Sequence, residues 1–90
     1  MGKVAITMKV LPSDVKVNLE EVSKKVQERL KKDCEIYKVK IEPIAFGINA
    51  LVFLFLRDET LGTEDLVEDI SKIEGVGDVV ISDISLVHGL

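Results

Sequence analysis

Ala50 to Leu56 reads ALVFLFL, seven consecutive apolar residues, and no other feature restricts the fold as strongly. The run is far too short to span a membrane, which takes about 20 residues. As a strand it is apolar on both faces, so it belongs at the centre of a sheet rather than at its edge. Directly ahead of it stands Glu42-Pro43-Ile44-Ala45-Phe46-Gly47, a segment expected to form a surface loop. A large apolar side chain in such a loop costs solubility and gains nothing unless something covers it. The mismatch points to a partner-binding tip made of Pro43, Ile44, Ala45, Phe46 and Gly47.

The flanking segments carry simple periodicities. Lys3 to Leu11 alternates, with Val4, Ile6, Met8 and Val10 on one face and Ala5, Thr7 and Lys9 on the other, which predicts a strand. Pro12-Ser13-Asp14 ends it as a turn. Leu19, Val22, Val26 and Leu30 recur at spacings of three and four, predicting a helix over about 19–32. Asn18 is placed to cap that helix, with Glu21 able to reach back in a variant of the capping box. Ile36 to Ile41 predicts a second strand, with Tyr37, Val39 and Ile41 on one face and Lys38 and Lys40 on the other. Its lysines suit an edge, and Pro43 is its expected stop. Ile48 to Leu56 is the third strand, closed by Arg57-Asp58-Glu59. Thr63 is placed to cap a second helix, with Glu64 and Asp65 in the first turn where the helix dipole favours negative charge. Leu66, Val67, Ile70 and Ile73 form the apolar stripe of that helix, and Gly75 is its expected stop. Val79 to Val87 predicts a fourth strand whose pattern slips across Ser82-Asp83, as a β-bulge would make it.

The order βαββαβ folds most simply as two interleaved right-handed crossovers. The expected architecture is α+β and ferredoxin-like: a four-stranded antiparallel sheet with two helices on one face, strands one and three central. Residues 1–90 are expected to form a single domain.

Composition narrows the function. A formal charge of −4 argues against a nucleic-acid backbone as the main partner, since neutralising phosphates needs an excess of Lys and Arg. Lys24, Lys25, Lys31, Lys32, Lys38 and Lys40 crowd the first half, while Glu59 to Asp83 is acidic. This polarity either steers a charged protein partner or reflects two solvated helix faces of different composition. Cys34 is the only cysteine and His88 the only histidine, so neither an intrachain disulfide nor a Cys/His zinc site can form. The N-terminus lacks a signal-peptide apolar core, because Thr7 and Lys9 interrupt Val4 to Leu11. A soluble, cytoplasmic setting is expected, with no membrane partner.

Catalytic chemistry finds little support. No nucleophile–base pair with an orienting partner is evident, and the glycines fit neither GxxxxGKS nor GxGxxG spacing. Glu64, Asp65, Glu68 and Asp69 point apart on a helix and read as a solvated face, not as a metal cluster. The third strand lacks the basic positions of an RNA-recognition motif, and Phe53 and Phe55 read as core. The turn after the first strand has neither a CxxC pair nor an arginine for an anion-binding site. No enzyme, metal or cofactor is expected. Protein binding remains, through the loop and through the helix-free sheet face, which is expected to receive apolar side chains and to serve a dimer or another protein. For Phe46 two readings stay open: an exposed anchor, or a ring folded back over the end of the sheet.

Glu42-Pro43-Ile44-Ala45-Phe46-Gly47-Ile48, followed by Ala50-Leu51, resembles the PIAFG or PIGFG/PIGYG signature of the guanine-nucleotide exchange domain of translation elongation factor 1-beta. Leu61-Gly62-Thr63-Glu64-Asp65-Leu66-Val67-Glu68 is similar to that family's second helix start. Ile73-Glu74-Gly75-Val76 and the Val/Ile-rich end continue the likeness, which covers nearly the whole chain. The free-standing length resembles the archaeal form. The resemblance implies exchange of GDP for GTP on elongation factor 1-alpha without covalent chemistry, and a monomer is expected. It implies that Phe46 inserts into the GTPase and that His88, Gly89 and Leu90 approach the nucleotide. Eukaryotic relatives end Gln-Lys-Leu, so Gly89 stands at the lysine position and displacement of magnesium by an ammonium does not carry over. Two rival classes remain: a small dimeric ligand-binding module of the same topology and an acidic RNA-recognition relative.

Overall fold

Alternation along the strands and the helical stripes sorts the apolar residues onto one layer. In the computed structural model of the protein, which describes residues 2–87, β1 (Lys3–Pro12), α1 (Leu19–Leu30), β2 (Cys34–Ala45), β3 (Ile48–Asp58), α2 (Glu64–Ser71) and β4 (Val76–Val87) follow in the order βαββαβ. The sheet runs β2-β3-β1-β4, antiparallel at every junction, so β1 and β3 are central as expected. Ile6, Met8 and Val10 of β1 and Leu51, Phe53 and Phe55 of β3 share one face. They form a single buried cluster with Val22, Val26 and Leu30 of α1 and Leu66 and Ile70 of α2. Each such side chain contributes about 1.5–3 kcal/mol by leaving water. The fold is the ferredoxin-like sandwich expected.

Local signals hold at some ends and fail at others. Asn18 Oδ1 accepts from the backbone N–H of Glu20 (3.0 Å) and Glu21 (3.4 Å), capping α1 as expected. Thr63 occupies the N-cap of α2, but its side chain makes no capping bond. That helix ends at Ser71, ahead of Gly75, so Ile73 packs against the core from the following turn. β2 does not stop at Pro43: it continues to Ala45, because an edge strand leaves half its N–H groups without a sheet partner and tolerates a proline. The pairing of β2 with β3 also shifts between Ile36 and Lys38. Tyr37 is the extra residue there, so Ile36 and not Tyr37 shares the core-facing side with Val39. In β4 the predicted bulge is present. Thr7 pairs with Asp83 and Met8 with Ile81, leaving Ser82 between them, and its Oγ donates to the Thr7 carbonyl at 3.2 Å. The strand nevertheless starts at Val76, earlier than its pattern suggests. Gly77 permits this: a Cβ there would lie 2.8 Å from the Pro12 carbonyl oxygen.

Arg57 departs furthest from expectation. Its charge reads as a strand terminator, yet it lies inside β3 and is only 2% exposed. Nη1 donates to the Gly62 carbonyl (2.7 Å) and to Asp65 Oδ1 (2.8 Å); Nη2 donates to Asp33 Oδ2 (2.9 Å) and Asp65 Oδ2 (2.7 Å). Arg29 of α1 completes the network with bonds to Asp69 (2.7 Å), Asp65 (3.2 Å) and Asp33 (3.3 Å). The cluster ties β3, both helices and the turn before β2 together at one end of the sheet. Planar guanidinium forks suit this role because they satisfy several carboxylates at once.

The Arg57 hydrogen bond, aided by its charge, holds the Asp65 carboxyl well below the usual carboxylate range. At Asp33 partial burial pushes upward but is outweighed by hydrogen bonds from Arg57 and Cys34 and by both arginine charges, so its pKa is also lowered. Burial, reinforced by Asp33, pushes the Cys34 thiol up to about 12, so it stays protonated and unreactive at neutral pH.

A depressed folded-state pKa contributes stability that is complete above the unfolded value of about 3.9 and is lost as pH falls through the folded value. The urea midpoint should therefore change little between about pH 7 and pH 5 and fall below about pH 4. Arg57→Met should cost about 2 kcal/mol at neutral pH and flatten that acid limb, as followed by urea titration across pH. A variant that keeps the parent's acid dependence would show that other carboxylates cause it.

Candidate functional site

The predicted loop is a tight hairpin turn. Ala45 pairs with Ile48, which leaves Phe46 and Gly47 as a two-residue connection between β2 and β3. Both have positive φ, 53° at Phe46 and 77° at Gly47, as in the type I′ turn whose twist matches that of the flanking strands. Gly47 adopts this conformation freely. Phe46 does not: a residue with a Cβ in the left-handed region costs roughly 1–2 kcal/mol, and Asn would suit the position better. The Phe46 side chain gains nothing from its own fold in return, because the residue is 97% exposed. The reading in which it folds back over the sheet is thereby excluded.

The rest of the tip is also exposed. Pro43, Ile44, Ala45 and Gly47 are all exposed, and a second register shift between Pro43 and Ala45 turns Ile44 outward. No charged residue occurs between Glu42 and Arg57. Behind the tip, Glu42 and Lys9 are paired at 2.9 Å across the helix-free side of the sheet. The Lys9 hydrogen bond and charge hold the Glu42 carboxyl below its usual range. β3 fixes the tip in place, since Ala50 and Leu51 immediately behind it are buried.

The helix-free face differs from expectation. Ala50, Val52 and Leu56 of β3 point toward it, yet are only 0%, 5% and 4% exposed. Thr7, Lys9, Lys38, Lys40 and Glu42 rim a shallow depression with Val52 and Leu54 at its floor. Long lysine stems cover apolar surface while their ammonium groups stay in water. The β3 part of this face is therefore already coated, while Val80 of β4, paired with Lys9, stays 42% exposed on it.

His88, Gly89 and Leu90, the other predicted partner-binding residues, lie outside the described residues. Val87, just before them, pairs with Lys3, and Lys3 pairs with Asp58 at the far end of β3 from the hairpin. From Ile48 to Asp58 the strand extends about 34 Å at 3.4 Å per residue. The structure thus does not bring Val87 near Phe46. Among the described residues no group of three His, Cys, Asp or Glu side chains is placed to hold a metal ion, and no helix is long and apolar enough to cross a membrane.

Sequence reasoning missed the burial of Arg57 but contained its signal. Counting in twos from Leu51 through Phe53 and Phe55 reaches Arg57, so alternation alone puts it on the core face. The strain at Phe46 could not be read before the turn length was known.

The chain is thus a ferredoxin-like sandwich with an uncharged hairpin tip that bears the 97% exposed Phe46. Comparison with known proteins specifies it further. Residues 5–87 match the family described as the EF-1 guanine nucleotide exchange domain, and the chain belongs to that family. It is 42% identical to elongation factor 1-beta of Methanothermobacter thermautotrophicus over 85 residues, covering 93% of this chain and 96% of that protein. It is also 42% identical to elongation factor 1-beta of Staphylothermus marinus, covering 90% and 92% of the two chains. Identity to the Archaeoglobus fulgidus factor is 41%, over 96% and 99%.

Replacing Phe46 with Asn should relieve the turn. Phe46→Asn is expected to stabilise the fold by about 1 kcal/mol, raising the melting temperature by roughly 4–8 °C for a domain of this size. Thermal unfolding followed by circular dichroism checks this; a lower melting temperature would mean that the ring supports the hairpin.

Proposed function

We propose that this protein is the guanine-nucleotide exchange factor of translation elongation factor 1-alpha. It promotes GDP release and so allows GTP to reload during protein synthesis, as a cytoplasmic monomer and without covalent chemistry. Membership of the exchange-domain family supports the activity, and the observation that carries the mechanism is the exposed, strained Phe46.

Exchange is a matter of linkage. A factor that binds the nucleotide-free GTPase more tightly than the GDP-bound form must weaken GDP by the same ratio. Accelerating release a thousandfold takes about 4 kcal/mol of selective stabilisation on the path to release. An aromatic side chain buried at the centre of an interface contributes ~2 kcal/mol or more. Phe46 is suited to that share. Its ring is almost wholly exposed, and the type I′ turn fixes the backbone that carries it, so docking costs the rotamer freedom of the ring and little backbone entropy. Pro43, Ile44, Ala45 and Gly47 form the collar around it. His88, Gly89 and Leu90 belong to this proposal as a second contact. Since Gly89 carries no ammonium, release rests on the aromatic wedge rather than on displacement of magnesium by a side-chain cation.

The decisive experiment is dissociation of a fluorescent GDP analogue from elongation factor 1-alpha, with this protein at catalytic amounts. The parent should accelerate release strongly. Phe46→Ala should reduce the acceleration at least tenfold, about 1.4 kcal/mol, with an unchanged urea midpoint. Full activity in the variant would remove Phe46 from the mechanism. No acceleration by the parent, on a competent GTPase, would end the exchange-factor reading.

A further inference from the structure

The apolar surface does not stop at the hairpin. A groove of about 520 Å³ separates α1 from β2, floored by Leu19, Val39, Ile41 and Leu51, with Glu20, Ser23, Lys24 and Gln27 on its helical wall and Lys40 on its strand side. Its cause is local. The apolar stripe of α1 (Val22, Val26 and Leu30) points into the core. The positions turned toward β2 carry Ser23 and Gln27 instead, hydrogen-bonded to each other at 2.8 Å. Beyond Leu19 at its start, α1 offers β2 these two polar side chains engaged with each other, and it does not close over the strand. Ile41 is left 57% exposed.

Ile41 pairs with Leu51, Pro43 with Asn49 and Ala45 with Ile48, so the groove leads along β2 directly to the turn that bears Phe46. Exposed apolar residues on an edge strand are a liability unless something covers them. A stable interface buries about 800 Å² on each partner, whereas one phenylalanine supplies about 150–250 Å². A partner that takes Phe46 needs further area, and the surface nearest to that residue is the two sides of the hairpin. One side carries the Lys9–Glu42 ion pair with Lys38 and Lys40, which are costly to desolvate. The other side carries Pro43, Ile41 and the groove, where the exposed Glu20, Lys24 and Lys40 border an apolar floor and, among the described residues, no ion pair has to be broken.

We propose that the α1–β2 groove is a second docking site for the same GTPase, receiving an apolar ridge of its side chains while Phe46 enters a neighbouring pocket. This rests on the exchange-factor reading. The two contacts divide the work: the groove sets affinity, and Phe46 supplies the selective stabilisation that expels GDP.

The test is the fluorescent GDP release assay run as a titration, with the parent, Ile41→Asp, Ser23→Arg, Phe46→Ala and Val80→Asp. Ile41→Asp places a charge on the groove floor, and Ser23→Arg fills the groove from a helix surface that tolerates arginine. Each should raise the half-saturating concentration about tenfold, with maximal release within about twofold of the parent and native circular dichroism. Phe46→Ala should instead lower the maximal rate. Val80→Asp puts the same charge on an exposed apolar position of β4 and should behave as the parent. The proposal is overturned if both groove variants match the parent while Phe46→Ala is impaired, a result that leaves the exchange-factor reading intact. An equal loss in Val80→Asp also overturns it, because charge alone would then be the cause. A parent dimer in sedimentation that Ser23→Arg dissociates would assign the groove to a second copy and overturn it too. A parent that fails to accelerate release removes both readings together.

Discussion

Burial of β3 on both faces is the constraint from which the rest of the structure follows. Leu51, Phe53 and Phe55 fill the core under the helices, and on the other side Ala50, Val52 and Leu56 are buried too, with lysine stems around Val52. A strand sealed on both sides and paired along both edges cannot shift its register without exposing every one of these side chains. The hairpin that bears Phe46 is the direct extension of that strand, so the tip inherits the rigidity of the core. A large apolar group can then stand in water without collapsing onto its own chain.

The two ends of β3 are held by opposite chemistry. At one end Arg57 is buried and satisfied by two carboxylates and a carbonyl, although its buried Nε has no partner among the described residues. An interior cation is costly, and replacing such a cluster with apolar side chains often stabilises a protein. What the cluster supplies is position: β3, both helices and the turn before β2 meet at one planar group. At the other end there is no charge and no cover, only a two-residue turn in a conformation that disfavours phenylalanine. Local rules broken without internal compensation are expected where a protein acts on something else.

Both flanks of the hairpin lie against edge-strand surface, and they are finished differently. The flank toward the helix-free face ends in lysines and one ion pair. The flank toward α1 ends in Ile41 and a groove that two polar helix residues keep open. Small domains of this fold have only two helices to cover four strands, so some edge surface is always left over. Ile84 and Leu86 of β4 are such a remainder at one end, and at the other the uncovered Ile41 and its groove lead to the tip, which is where a partner reaching for Phe46 would meet them.

Much of this was legible in the sequence. Period-two and helical patterns determined the six elements, the central place of β1 and β3, the Asn18 cap and the bulge at Ser82, because these depend on residues near one another in the chain. The motif from Glu42 to Ile48 also marked the tip. Tertiary structure decided the rest. Whether Phe46 folds back depends on the length and twist of the hairpin. Whether β3 leaves an apolar outer face depends on lysines of β1 and β2 that only strand pairing brings over it. Arg57 becomes a core residue because Asp33 and Asp65, distant in sequence, converge on it. In each case the deciding neighbour comes from another element, and side-chain periodicity carries no information about what lies across the fold.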